Sequence, residues 1–157
     1  MFDLINGIPV HPLVVHAIVV LLPLATVGTI AIALRPRWRR PYGPLVVGSA
    51  LVATVLCPVA TSSGEALEER VGSPGEHAEL GDTLVWFALA LLVLSALLVY
   101  LQRRNDAPGA APAGRAIQVV AALAVVAALA STVQVYRVGD SGAKAVWGDS
   151  TSASSGD

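Results

Sequence analysis

Four runs of apolar residues dominate this chain, each close to the ~20 residues that carry a helix across ~30 Å of hydrocarbon. They cover about 12–34, 44–62, 78–102 and 115–136 of the 157 residues. In lipid such a run must satisfy its own backbone, which an α-helix does within a single segment. The expected fold is therefore all-α: a four-helix transmembrane bundle forming one domain over residues 1–148, with a disordered tail over 149–157. Hydrophobic residues make up 55% of the chain and charged residues 13%, a balance that argues against a water-soluble domain. The first run follows a slightly acidic Met1-Phe2-Asp3 and is too long for a secretion signal, so it reads as a retained span.

The charges order the spans. Arg35, Arg37, Arg39 and Arg40 lie in the first connection and Arg103, Arg104 and Arg115 in the third, seven of the ten basic residues. Basic loops stay in the cytoplasm, so both termini are expected outside. The middle connection carries Glu65, Glu68, Glu69, Glu76, Glu79 and Asp82 against a lone Arg70, in keeping with an outer position. Trp38, Tyr42 and Tyr100 read as inner-interface anchors and Trp86 as an outer one.

Local signals set further expectations. Pro23 should kink the first span, with Thr26 helping to satisfy freed backbone groups. The second span should end near Pro58–Ser63, leaving residues 64–70 as a turn or two at the surface. Ser73-Pro74-Gly75-Glu76 resembles a capping box with a first-turn proline. It predicts a helix from Pro74 to Arg103, about thirty residues or ~45 Å at ~1.5 Å per residue, so helix 3 should extend beyond the outer membrane face. Residues 105–114 read as a flexible Pro/Ala/Gly linker. No span repeats another closely enough to mark a duplication.

The chemistry-bearing residues gather at the outer end, where all three histidines, His11, His16 and His77, are expected. His16 and His77 are the candidate cofactor ligands: imidazoles from two helices can hold the iron of a b-type haem between them. The competing reading makes each histidine a hydrogen-bonding element that fixes helix packing. His11 lies five residues before His16, about 140° away on an ideal helix, and reads as a helix-start residue. A divalent-metal site built from His11, His16, His77 and Glu76 is a further alternative. Gln134, near the outer end of the fourth span, could line such a site, while Gln118 should bond between helices. Cys57, the lone cysteine, reads as a small packed side chain. Phosphate-cradling loops, metalloprotease and serine-hydrolase patterns are missing, nucleic-acid binding is unwarranted, and no carboxylate lies mid-membrane. Independent catalytic activity is not expected.

The opening from Ile5 to His16, with His11-Pro12 followed by His16, resembles that of a bacterial membrane-protein family catalogued as domain of unknown function family 2231. The resemblance covers most of residues 5 to 148, with a histidine before the third span and a Gly-rich segment after the fourth. It implies a bacterial cytoplasmic-membrane protein in a redox setting, with a Rieske-type or quinone-linked partner besides membrane lipid, and it is compatible with a homo-oligomer. Carried over residue by residue, the family's histidines match His11, His16 and His77. Where relatives carry a further histidine, this sequence has Asp140 within Gly139-Asp140-Ser141-Gly142, which implies a supporting place behind an outer histidine. The leading expectation is thus a membrane redox or cofactor-binding subunit with haem b between His16 and His77. A non-catalytic structural subunit of a larger membrane complex and a divalent-metal binder are the alternatives.

Overall fold

The computed structural model describes residues 4–5, 8–72, 75–109 and 113–153. Four helices account for nearly all of these: α1 (Val10–Leu34), α2 (Arg39–Val71), α3 (Glu76–Asn105) and α4 (Gly114–Ala153). All four are long and apolar enough to cross a membrane. A single 3-10 turn, Pro36–Trp38, joins α1 to α2, and a two-residue antiparallel pairing, Leu4–Ile5 with Ile8–Pro9, precedes α1.

The helices run alternately up and down in a ring. α1 and α3 each pack on both α2 and α4, while the diagonal α1–α3 pair barely touches. The histidines and the acidic connection therefore share one end of the bundle and the arginine-bearing connections share the other. Small side chains run through the core: Ala25, Ala50, Ala53, Ala88, Ala124 and Ala128 have no exposed surface and pack beside the fully buried Leu22, Ile32, Leu91 and Leu98. Without a hydrophobic drive between helices in lipid, small residues of this kind let backbones approach closely. The approach is tightest at Gly28 and Gly43, where an added Cβ would sit 2.6 Å from Val46 and Val99 respectively. Larger residues such as Val20, Val27, Val126 and Val133 point outward.

Several boundaries differ from expectation for physical reasons. α2 runs unbroken through Pro44 and Pro58 to Val71, so residues 64–70 continue the spanning helix and are no separate surface turn. A proline forfeits one hydrogen bond, and the good helix formers beyond it carry the helix to Gly72, whose φ of +90° ends it. α3 starts at Glu76 behind Gly75, at φ +57° with no side-chain cap. Ser73 and Pro74, the expected cap and first-turn proline, lie outside the described residues. Thr26 donates to the carbonyl of Pro23 itself at 2.8 Å; Pro23 frees the carbonyl one turn earlier. α4 does not end near Tyr136 but runs on to Ala153, so residues 149–153, expected in a disordered tail, are helical. The extension is alanine-bearing and carries a Lys144–Asp140 pair one turn apart at 2.7 Å. Residues 154–157 of that tail lie outside the described ones.

The arginine end is locked by one buried side chain. Arg39, 5% exposed, donates from Nε to the carbonyl of Ile32 at 2.8 Å and from its Nη atoms to Ala33 O and Gln102 Oε1, both at 3.0 Å. It therefore satisfies two end-of-helix carbonyls of α1 while tying α2 to α3. Gln102 passes the link to Asp106 at 3.0 Å, and Arg40 meets Asp106 at 2.7 Å. That hydrogen bond from Arg40 holds the Asp106 carboxyl below the usual carboxylate range.

Arg39→Ala should cost about 3 kcal/mol, because it strands buried carbonyls and an amide, whereas exposed Arg40→Ala should scarcely register; thermal unfolding in detergent separates the two. Thr29 offers the opposite case, since its Oγ1 is buried without a hydrogen-bond partner among the described residues. Thr29→Val should raise stability by about 1 kcal/mol in the same assay.

Candidate functional site

The histidine end is organised by two seats of the same design. His11 opens α1 and places Nδ1 2.9 Å from the carbonyl of Ala60 on α2, with Ser63 Oγ at 3.5 Å. His77 opens α3 and places Nδ1 3.0 Å from the carbonyl of Val138 on α4, with Ser141 Oγ at 3.3 Å. In each seat the serine hydroxyl donates to that same carbonyl at 3.0 Å, so its oxygen is left to accept from the ring. A glycine follows each serine and lies under the imidazole. A Cβ on Gly64 would come within 3.1 Å of His11 Cε1, and one on Gly142 within 2.9 Å of His77 Cε1. Both rings are half-buried.

His16 is placed differently. It is exposed, and its Nδ1 bonds to the carbonyl of Pro12 on its own helix. Two residues before the buried Ile18, it is turned about 200° from the core-facing stripe of α1 at ~100° per residue. The expected His16–His77 pair is therefore not a facing pair across the core: one ring points away from the bundle and the other packs on α4.

All three histidines share one chemical property. A carbonyl oxygen only accepts, so Nδ1 of each uncharged ring carries the proton and Nε2 keeps its lone pair. None of the three Nε2 atoms has a hydrogen bond among the described residues. An Nδ1–H pinned to a carbonyl with Nε2 free is how ligating histidines are oriented in metal sites.

The remaining candidates sort themselves by contact. Glu76, Glu79 and Asp82 are exposed, and among the described residues no three His, Cys, Asp or Glu side chains converge as a metal-holding group. Asp140 pairs with Lys144, not with a histidine; that hydrogen bond raises the Lys144 pKa. Gln134 is buried and ties α4 to α3, donating to Leu80 O at 3.0 Å and Thr83 Oγ1 at 2.8 Å. Gln118 is exposed. Cys57 is packed as expected, its thiol donating to Ala53 O at 3.3 Å. A second candidate space, an apolar groove of about 280 Å³ between α1 and α2, lies toward the arginine end beside Trp38 and Tyr42, away from the histidines.

From sequence, Ser63 and Gly64 were given no role, and Ser141 and Gly142 stood only as neighbours of Asp140. The signal was a Ser-Gly dipeptide standing late in both even-numbered helices. A family model described as a predicted membrane protein (DUF2231) matches residues 7–154. No curated protein and no solved structure matches.

Gly142→Ala should push the His77 ring off its carbonyl and cost about 2 kcal/mol as an overpacked contact. Gly139→Ala, in open space on the same helix, should gain a few tenths to ~1 kcal/mol from helix propensity. Detergent melts of the two variants beside the parent protein check the contrast.

Proposed function

We propose that this chain, which belongs to the DUF2231 family of predicted membrane proteins, is a membrane redox or cofactor-binding subunit that ligates a b-type haem through histidine Nε2 at one end of its bundle. The observation that carries the reading is the shared tautomer: His11, His16 and His77 each commit Nδ1 to a backbone carbonyl. The donor set fits haem iron, which takes uncharged imidazole nitrogen on its axis. When bound, the haem supplies one-electron transfer; the protein's residues hold and orient the rings. A quinone or a Rieske-type iron–sulfur subunit would be the partner in such a setting.

The positive-inside rule supports the orientation that belongs with this reading: arginine loops in the cytoplasm, both termini and the histidine end outside, in a bacterial plasma membrane. α3 and α2 would then raise their histidine-end turns into the outer headgroup layer. Exposed Trp86 and exposed Trp38, Tyr42 and Tyr100 fall near opposite ends of the spans, where amphipathic rings suit the interfaces.

One observation favours a second reading. Each of the His11 and His77 bonds also ties two helices together, as a packing clamp in a non-catalytic structural subunit would. A reduced-minus-oxidised visible spectrum of detergent-purified protein, expressed with ample haem and analysed for metal, decides between them. Sharp haem bands near one per chain are expected; a blank spectrum with no bound metal leaves the structural subunit.

A further inference from the structure

The two seats are part of a wider repeat. Stepping along the chain by the interval from His11 to His77 carries the buried residues Ile18, Leu22, Ala25 and Thr29 of α1 onto Leu84, Ala88, Leu91 and Ser95 of α3, all buried. Ile32 and Ala33 land on buried Leu98 and Val99 in the same way, and only Thr26 meets a half-buried position, Leu92. The interval from Gly64 to Gly142 carries Val46, Ala50 and Ala53 onto Ala124, Ala128 and Ser131 between the even helices, while buried Gly43 and Cys57 meet half-buried Ala121 and Val135. Here the sequence itself recurs: Ala50-Leu51 and Thr54-Val55 return as Ala128-Leu129 and Thr132-Val133, with Ser-Gly at the same distance beyond. The correspondence is one of structural register, since α1 and α3 share little sequence beyond the histidine. The α1–α2 hairpin thus corresponds in register to the α3–α4 hairpin, and the ring of neighbours α1–α2–α3–α4 fits a pseudo-two-fold axis along the bundle.

That symmetry has a consequence for the histidines. His11 stands two turns before Ile18 and His77 two turns before Leu84, so both begin the core-facing stripes of the diagonal helices, at the same end and in equivalent seats. His16 has no counterpart, since the matching position in α3 is Asp82, and it points away from the core. We infer that His11 and His77 are the two halves of one ligand pair astride this pseudo-two-fold axis, taking a single transition-metal centre through Nε2, and that His16 is outside the site. The shared chemistry is a metal that accepts two imidazoles, whether the iron of haem or a bare ion such as Zn²⁺ or Cu²⁺.

The inference rests on the cofactor-binding reading and names its ligands, and a single set of samples separates the two. Full-length protein, expressed with ample haem and purified in detergent, is taken as wild type, His11→Gly, His77→Gly and His16→Gly. Each is measured by visible spectrum, metal content and thermal unfolding. The expected result is one centre per chain, loss of the low-spin haem bands (or, without a Soret band, at least a tenfold loss of bound metal) in both His11→Gly and His77→Gly, and retention in His16→Gly. Millimolar imidazole should restore the lost signal in each single variant, which a mere failure to fold would not allow. Loss in His16→Gly with retention in His11→Gly would overturn the pair while leaving the cofactor reading intact. Two centres per chain would also overturn it, by making each seat a separate site. Wild-type protein without metal or haem would remove the cofactor reading itself, and the pair with it.

Discussion

A hydrocarbon slab offers no water to an unpaired amide or carbonyl, and most of this architecture follows from that constraint. Each helix pairs its backbone internally, and the core between them combines alanine, glycine and serine with the buried Leu22, Ile32, Leu91 and Leu98. Apart from Thr29, polar side chains inside the bundle bond their own helix or a neighbouring one. Ser131 donates to Ala127 O and approaches Phe87 O on α3 at 3.2 Å, and Thr132 and Thr54 donate to carbonyls one turn earlier. The contacts that distinguish one helix pair from another are therefore pushed to the two ends, where helix termini leave carbonyls and amides to be claimed.

The two ends meet this demand with different chemistry. At the arginine end a permanently charged guanidinium, with five donors in a planar fork, covers several carbonyls at once. Gln102, Asp106 and Arg40 extend these bonds into a network across the end of the bundle. At the histidine end the donor is an imidazole, which spends one nitrogen on a carbonyl and keeps another. A lysine or arginine in the His11 or His77 seat would also bond the carbonyl, but it would present no lone pair. The choice of histidine in both seats is what turns a helix clamp into a candidate ligand.

Fold class and span order were legible in the sequence because apolar run length and loop charge are local quantities. The ends of α2 and α4 were not. A proline looks like a stop in sequence, yet Pro58 costs only one bond in a helix already held by its neighbours. The helical extension beyond Tyr136 draws on the Asp140–Lys144 pair and on a dock against His77, a contact between residues far apart in the chain. The clustering of histidines at one end was readable, but the partner of each was not, since Ala60 and Val138 contribute backbone oxygens that no residue type announces. His16 was expected to share a cofactor with His77 between the helices, on the strength of its place near the outer end of the first span. Depth and facing are separate quantities, and a phase of two residues from Ile18 decides the facing.

The matching register of the two hairpins accounts for the pairing of the seats. A two-helix hairpin can bury only part of each helix, and a second copy turned by half a revolution about the membrane normal covers the remainder. Such parallel repeats require an even number of spans per unit, so that both copies enter the membrane in the same sense. Two helices per unit and a connection of only a few residues, 72–75, meet that condition. A side chain that faces the axis in one hairpin has its equivalent position facing the same axis in the other, so histidine at both positions gives two donors at one end. Departures from symmetry fall elsewhere. His16, the Asp140–Lys144 pair and the capping Arg39, whose counterpart is Ile117, all lie off the histidine seats. The imidazole, serine and glycine of each seat match between the two hairpins, as do Thr54 and Thr132 along the even helices.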